Sequence, residues 1–183
     1  MATINIDKHL LLRTYTTNDH TALFEAIDNS RQHLNPWLNW VAGTTRPEHS
    51  LEFIENAANQ LREQKALALG IFYNGQVIGG IGMQEWSHNT KRAQIGYWIC
   101  AGYEGRGIIN KALTAFITYL FDKAGLNKIE IHYVASNTRS GNVAKKLGFR
   151  LEGVIRQAVL RNGTLEDLII TGMLKTEWSN NSD

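Results

Sequence analysis

A change of hydrophobic period at the centre of the chain constrains the fold most. Residues 66–73, 76–86 and 92–100 are three strand-like runs in succession, expected to pair antiparallel, the first two joined at Asn74-Gly75, a dipeptide suited to a tight β-hairpin turn. Tyr103-Glu104-Gly105-Arg106-Gly107-Ile108 follows, and a 3.6-residue period then takes over. Ile108, Ala112, Leu113, Phe116 and Leu120 fall on one face of a helix over 107–124. Residues 128–135 return to strand. Strand, glycine loop, helix and strand form a central βαβ unit running from Ile95 to Val134.

The flanks extend this plan. Residues 9–15 read as a strand, after which Thr17 or Asn18 can cap a helix bearing Leu23, Phe24 and Ile27. Pro47 suits the first turn of a second helix with Leu51, Ile54, Ala58 and Leu61 on one side. Beyond the βαβ unit come a helix over 138–147 and two strands, 149–160 and 164–174, that turn at Asn162-Gly163. The order β-α-α-β-β-β-α-β-α-β-β predicts a mixed α/β (α+β) fold, with a mostly antiparallel central sheet flanked by helices. No linker or repeat interrupts it, and 183 residues at 43% hydrophobic content suit one domain, 1–183.

Composition removes several functions. Nineteen basic against 17 acidic residues, with no block of like charge, gives no footprint for direct nucleic-acid binding. Six histidines are scattered without metal-ligand spacing, so no metal is expected. Asp7, Lys8 and His9 break the first apolar residues, leaving neither a leader nor a membrane span to read, and the lone Cys100 excludes an intrachain disulfide. A cytoplasmic, unprocessed protein is expected.

The chemistry concentrates at 103–108. Glycines let several backbone N–H groups converge on one anion, and the N-terminus of the following helix adds its partial positive charge. Neither GxxxxGK[ST] nor GxGxxG is present, which argues against a nucleoside triphosphate or a dinucleotide. The segment Tyr103-Glu104-Gly105-Arg106-Gly107-Ile108 resembles the QxxGxG/A motif of the GNAT acetyltransferase superfamily. Ala93-Gln94-Ile95-Gly96-Tyr97-Trp98, Asn137-Thr138-Arg139-Ser140 and Lys146-Leu147-Gly148-Phe149-Arg150-Leu151-Glu152-Gly153 are similar to the ribosomal-protein N-terminal acetyltransferase subgroup, the RimL/RimJ type. The likeness extends from Leu11 to Asp167. Glu104 stands where the family has Gln or Arg, and Ile109 where it has a small residue.

The resemblance implies acetyl-CoA as cosubstrate, its pyrophosphate on Tyr103, Glu104, Gly105, Arg106, Gly107 and Ile108, and its pantetheine along Trp98, Ile99 and Cys100, with Asn137 in contact. It implies a backbone N–H near Ile99 or Cys100 as oxyanion donor and Ser140 as the acid that protonates the leaving thiolate. A covalent acetyl-cysteine route at Cys100 has no partner histidine nearby in sequence. Ser140 could equally serve as a helix cap. Trp37 and Trp40 fall where the family builds its acceptor wall, although indoles packed under a loop would look the same.

A general base is harder to find. Gln94 occupies the place where many relatives carry a glutamate, and a carboxamide cannot take a proton at neutral pH. Glu85 on the preceding strand is a substitute through water, or simply a solvated carboxylate. An α-amine, with pKa near ~7.7–8.0, needs less help than a lysine near ~10.4, which favours a protein or peptide N-terminus, by resemblance a ribosomal protein. A polyamine or other small amine is the second enzymatic reading, and a non-catalytic acyl-CoA-binding module is the third. The subgroup also implies a homodimer.

Overall fold

The β3–β4 hairpin shows how local chemistry sets the register here. Asn74 and Gly75 both take left-handed backbone, φ 49° and 81°, and this turn closes β3 (Leu67–Tyr73) onto β4 (Gln76–Ser87) with Tyr73 opposite Gln76. The structure, a computed structural model, describes residues 2–161 and 163–180. Asn162 of the expected second turn lies outside the described residues. The chain gathers into two units, Met1–Met83 with Tyr97–Phe116, and Gln84–Gly96 with Ile117–Asp183.

In the first unit β1 (Thr3–Asn5), β2 (Leu10–Arg13), β3 and β4 pair antiparallel in that order. Helices α1 (His20–Asp28), α2 (Arg31–Leu34), α3 (Trp40–Gly43) and α4 (Pro47–Arg62) supply Leu23, Ile27, Leu34, Val41 and Ile54 to one buried cluster. Tyr15, Leu38, Val77 and Trp98 pack against it. Each fully buried side chain of this size contributes about 1.5–3 kcal/mol.

In the second unit the start of β5 (Arg92–Ile99) pairs in parallel with β6 (Lys128–Val134), as the βαβ reading requires, over Arg92–Gln94 opposite Lys128–Glu130. Strand β6 then pairs antiparallel with β8 (Thr164–Leu174), and β8 with β7 (Arg150–Arg161). Helix α6 (Thr138–Lys146) follows β6. Strands β4 and β5 and helix α5 (Ile108–Asp122) each run through both units. The helix buries Ile108, Ala112, Leu113, Phe116, Ile117, Leu120 and Phe121, which is the expected stripe widened by two residues.

Four features depart from the sequence reading. β1 adds a three-residue strand, α2 and α3 are four-residue turns, and α7 (Lys175–Asn180) follows β8 directly. A 3-10 turn over Thr17–Asp19 precedes α1, and its cap is Thr16, with Asp19 the cap of α1 itself, so neither Thr17 nor Asn18 caps the helix. Thr16 donates its amide and hydroxyl to the Asp19 carboxylate at 2.6 and 2.8 Å, and Arg13 grips the same carboxylate with two bonds of 2.8 Å. The Arg13 guanidinium, ahead of an opposing effect of burial, lowers the Asp19 pKa to about 2. Among the described residues no helix is long and apolar enough to cross a membrane.

Candidate active site

The site is built first from the end of β5. Cys100 donates its backbone N–H to the Ile78 carbonyl at 2.8 Å. Backbone groups along such a strand alternate between its two edges, so Ile99 directs its N–H and C=O to the opposite edge. The Cys100 amide is thus committed to β4, whereas Ile99 presents its backbone at the other edge of the strand. Trp98 turns its carbonyl the other way, so close to Gly79 that a Cβ there would stand 2.4 Å from the oxygen. Its indole lies over Gly80, where a Cβ would come within 2.4 Å of Nε1, and meets Trp40 edge-on at 6.1 Å between ring centres.

Cys100 is held back from chemistry. Its thiol donates to the Ala26 carbonyl at 3.4 Å, and burial pushes its pKa up. A thiol kept protonated is a poor nucleophile.

After Cys100 the chain makes one 3-10 turn over Ala101–Tyr103 and then a loop in which Gly105 and Gly107 take φ 71° and 73°. Only glycine adopts that region without cost. Helix α5 begins at Ile108, its first turn carries no acidic residue, and its opening N–H groups have no partner earlier in the helix. Arg106 lies 5.2 Å from the centre of the Tyr103 ring, and Tyr103 packs edge-on against Tyr73 at 5.9 Å. Glu104 turns its carboxylate to His33, 3.3 Å away. Two left-handed glycines, a helix N-terminus and cations at Arg106 and Lys111 suit a di-anionic pyrophosphate.

Within the second unit, Asn137 caps α6, its Oδ1 accepting the Ser140 N–H at 3.1 Å. Ser140 is therefore the third residue of the helix and not its cap, which separates two roles the sequence left open. Gln94 is half-buried on β5, opposite Glu130 in the parallel register. Glu85 is exposed on β4 at a left-handed bend, φ 52°. In the first unit Trp37 is half-buried and Trp40 exposed, and the Trp40–Trp98 contact joins an expected acceptor residue to an expected cofactor residue.

Sequence reasoning missed one cluster. Glu130 is 4% exposed and receives Arg92 at 3.0 and 3.1 Å, Lys128 at 3.1 Å and His132 Nε2 at 2.9 Å. Lys128 also reaches Glu152 at 2.5 Å. Burial pushes the Glu130 carboxyl up, but the bonds from Arg92, Lys128 and His132 outweigh it and hold the group below its ordinary range. The signal was present as Lys128-x-Glu130-x-His132, three polar residues at strand spacing and so on one face of the sheet.

Comparisons with known proteins agree with this geometry. The acetyltransferase (GNAT) domain family matches residues 9–150. The Bacillus subtilis protein YdaF, which carries the provisional name of a ribosomal N-acetyltransferase, is 31% identical over 179 residues, covering 97% of this chain and 98% of its own. The ribosomal-protein-serine acetyltransferase of Escherichia coli is 28% identical over 166 residues, covering 91% and 93%. The solved structure of the microcin C7 self-immunity acetyltransferase MccE with acetyl-CoA and AMP superposes with a TM-score of 0.87 at 26% identity, covering 92% of this chain and 94% of that one. A mixed, mostly antiparallel sheet flanked by helices, a glycine loop feeding a helix and these relatives together show that the chain belongs to the GNAT acetyltransferase family and is an N-acetyltransferase.

Proposed function

We propose that the protein transfers the acetyl group of acetyl-CoA to the α-amine of a protein or peptide N-terminus, a ribosomal protein being the natural acceptor, by direct attack in a ternary complex. The observation that carries the reading is the Gly105/Gly107 loop opening α5, which presents backbone N–H groups where a pyrophosphate would lie. Relatives named as ribosomal-protein acetyltransferases support the acceptor class. A homodimer in the cytoplasm is the corresponding setting.

The residues divide the work. Tyr103, Glu104, Gly105, Arg106, Gly107 and Ile108 hold the pyrophosphate, and Trp98, Ile99, Cys100 and Asn137 follow the pantetheine. The Ile99 N–H, at the edge of β5 away from β4, stabilises the oxyanion as the amine adds to the thioester carbonyl. When the C–S bond breaks, the Ser140 hydroxyl protonates the departing thiolate, a step that contributes about 10²–10⁴-fold in such catalysis. Trp37 and Trp40 form the acceptor wall, with Glu85 and Gln94 on the acceptor side.

Incubation with acetyl-CoA and peptides beginning with Ser, Ala or Met, a blocked lysine peptide and spermidine tests the assignment through CoA release and product mass. Acetylation confined to unblocked N-termini supports it, whereas preferential spermidine acetylation refutes it. A small amine is the second reading, favoured by the likeness to MccE, whose crystal contains AMP beside acetyl-CoA. CoA binding with no product from any amine favours the non-catalytic module.

A further inference from the structure

Acid catalysis by Ser140 demands that its hydroxyl stand within hydrogen-bond reach of the leaving thiolate, so whatever fixes the amino-terminal end of α6 also bears on the rate. That end follows the turn after β6, and β7 and β8 hold the turn. We propose that Ser136, Arg161 and Glu166 form a clamp that positions Ser140 for proton transfer, a role that rests on the reading of Ser140 above.

The clamp is three side chains on one face of the sheet. Continued past its last pair, the β6–β8 register that sets Val134 opposite Leu168 brings Ser136 opposite Glu166. On β7, Arg161 is the diagonal neighbour of Glu166, whose direct partner is Val159. The Ser136 hydroxyl donates to Glu166 Oε2, while Arg161 donates through Nε to Glu166 Oε1 at 2.6 Å and through Nη2 to Ser136 Oγ at 2.6 Å. Each member thus touches the other two. The Ser136 hydroxyl first, and the Arg161 guanidinium after it, hold the Glu166 carboxyl below its ordinary range, so the group is ionised at neutral pH. The Arg161 and Glu166 side chains are only 19% and 13% exposed. A planar guanidinium that bonds in two directions fixes direction as well as distance.

Backbone bonds carry the clamp to the helix. Ala135 donates its N–H to the Asp167 carbonyl at 2.9 Å, Asn137 donates to Val134 at 2.8 Å, and Thr138 donates to the Ser136 carbonyl at 2.9 Å. Asn137 then accepts the Ser140 amide on Oδ1 and the Gly141 amide on its own carbonyl, both at 3.1 Å. Further along, α6 rests on the Tyr133 ring, which a Cβ at Gly141 would approach to 3.1 Å. That contact sets the height of the helix over the sheet. A single ring contact leaves the helix free to swing about it, and the clamp removes that freedom at the first turn.

A bulge in β7 aims Arg161. Between the pairs Ile155–Leu168 and Val159–Glu166, three residues of β7, Arg156, Gln157 and Ala158, stand opposite Asp167 alone. Gln157 takes left-handed backbone, φ 51°, and donates its N–H to Asp167 Oδ1 at 2.9 Å. The excess is even, so Arg161 keeps the face of Ile155 and Glu166 while the bulge adds local twist to the strand. Left-handed backbone in a residue other than glycine persists only where its surroundings hold it, and bulges of this kind re-aim side chains beside active sites. Asp167 thus serves both ends, its carboxylate pinning the bulge and its carbonyl pinning the turn before Ser136.

The test is CoA-release kinetics with acetyl-CoA and an unblocked peptide, for the wild type, Ser136→Ala, Ser136→Thr, Arg161→Ala, Ser140→Ala and the doubles that combine Ser140→Ala with Ser136→Ala or Arg161→Ala. A misplaced acid slows chemistry and spares binding. Ser136→Ala and Arg161→Ala are therefore expected to lower kcat about tenfold, while the peptide KM and the CoA dissociation constant by calorimetry change less than about threefold. Ser136→Thr keeps the hydroxyl and should keep kcat. In the Ser140→Ala background the same substitutions should cost less than about twofold, because no acid is left to position. A cluster that merely stabilises the hairpin predicts equal losses in both backgrounds. Equal losses, or wild-type kcat in both single variants, overturn the clamp. Should Arg161→Ala fail to fold, Ser136→Ala decides, since it removes a single hydroxyl from an exposed residue. Wild-type kcat in Ser140→Ala overturns the acid reading itself and the clamp with it, so the two failures are told apart.

Discussion

Gly79→Ala is the perturbation whose effect can be worked most directly from the structure. A Cβ at residue 79 would stand 2.4 Å from the Trp98 carbonyl oxygen and 3.1 Å from the Ile99 Cα, both backbone atoms with no rotamer to yield. Ordinary contact begins near 3.4 Å, so the end of β5 must move by about 1 Å. Overpacking of this kind costs about 1–3 kcal/mol, and straining the Cys100 N–H bond to Ile78 adds about 1 kcal/mol. For a chain of this length a loss of about 2–4 kcal/mol lowers Tm by roughly 5–15 °C. The same displacement moves Ile99, and a misplacement near 1 Å costs about 10²-fold in kcat/KM. Differential scanning calorimetry and CoA-release kinetics measure both. Gly43→Ala, where a Cβ meets nothing within 4 Å, is the control and should change stability by less than about 0.5 kcal/mol. If Gly79→Ala melts and turns over like the wild type, the close approach of β4 to Trp98 is not what places the strand end.

Other expectations are independent of that one. Gly107→Val forces a branched side chain into left-handed backbone, φ 73°, in open space, so folding should weaken by only about 1–2 kcal/mol while the CoA dissociation constant rises more than about tenfold. Calorimetric titration with CoA decides it. Ser140→Ala should lower kcat by about 10²-fold with CoA affinity intact, because the bond from the Ser140 amide to Asn137 survives the substitution. Asp19, whose pKa falls to about 2 in the fold against an ordinary ~3.9, stabilises the protein above about pH 4 and ceases to as pH drops toward 2. The urea-midpoint gap between wild type and Asp19→Asn should accordingly be large at pH 6 and narrow at pH 3.

Periodic features were legible in the sequence because period is a local property. The alternation of β3, β4 and β5, the stripe of α5 and the Asn74-Gly75 turn each depend on residues within a few positions. The loop at 103–108 was legible because Gly105 and Gly107 announce backbone that other residues avoid. Helices α2 and α3 were not, since four residues span barely one turn and leave no stripe to read. Thr16 escaped as the cap because Thr17 and Asn18 offer the same capping chemistry beside it, although Thr16-x-x-Asp19 has the spacing of a capping box.

The site was half visible for the same reason. Asn137 and Ser140 came to notice through the resemblance to the ribosomal-protein subgroup, and the structure adds that Asn137 caps the helix in which Ser140 is the third residue. Which β5 amide faces outward depends on Cys100 meeting Ile78 across the sheet, a pairing no short window contains. Glu130 looked like one more acidic residue until β5 and β6 brought Arg92 and His132 onto it. Gln94 marked what was missing from the usual place.

The central claim is transfer to an α-amine, and one peptide tests it most directly. A substrate with a free N-terminal serine and an internal lysine is incubated with acetyl-CoA and enzyme, and tandem mass spectrometry locates the acetyl group. The account predicts acetyl on the N-terminal nitrogen and an unmodified lysine. Acetyl on the lysine, or CoA bound with neither nitrogen modified, would contradict it.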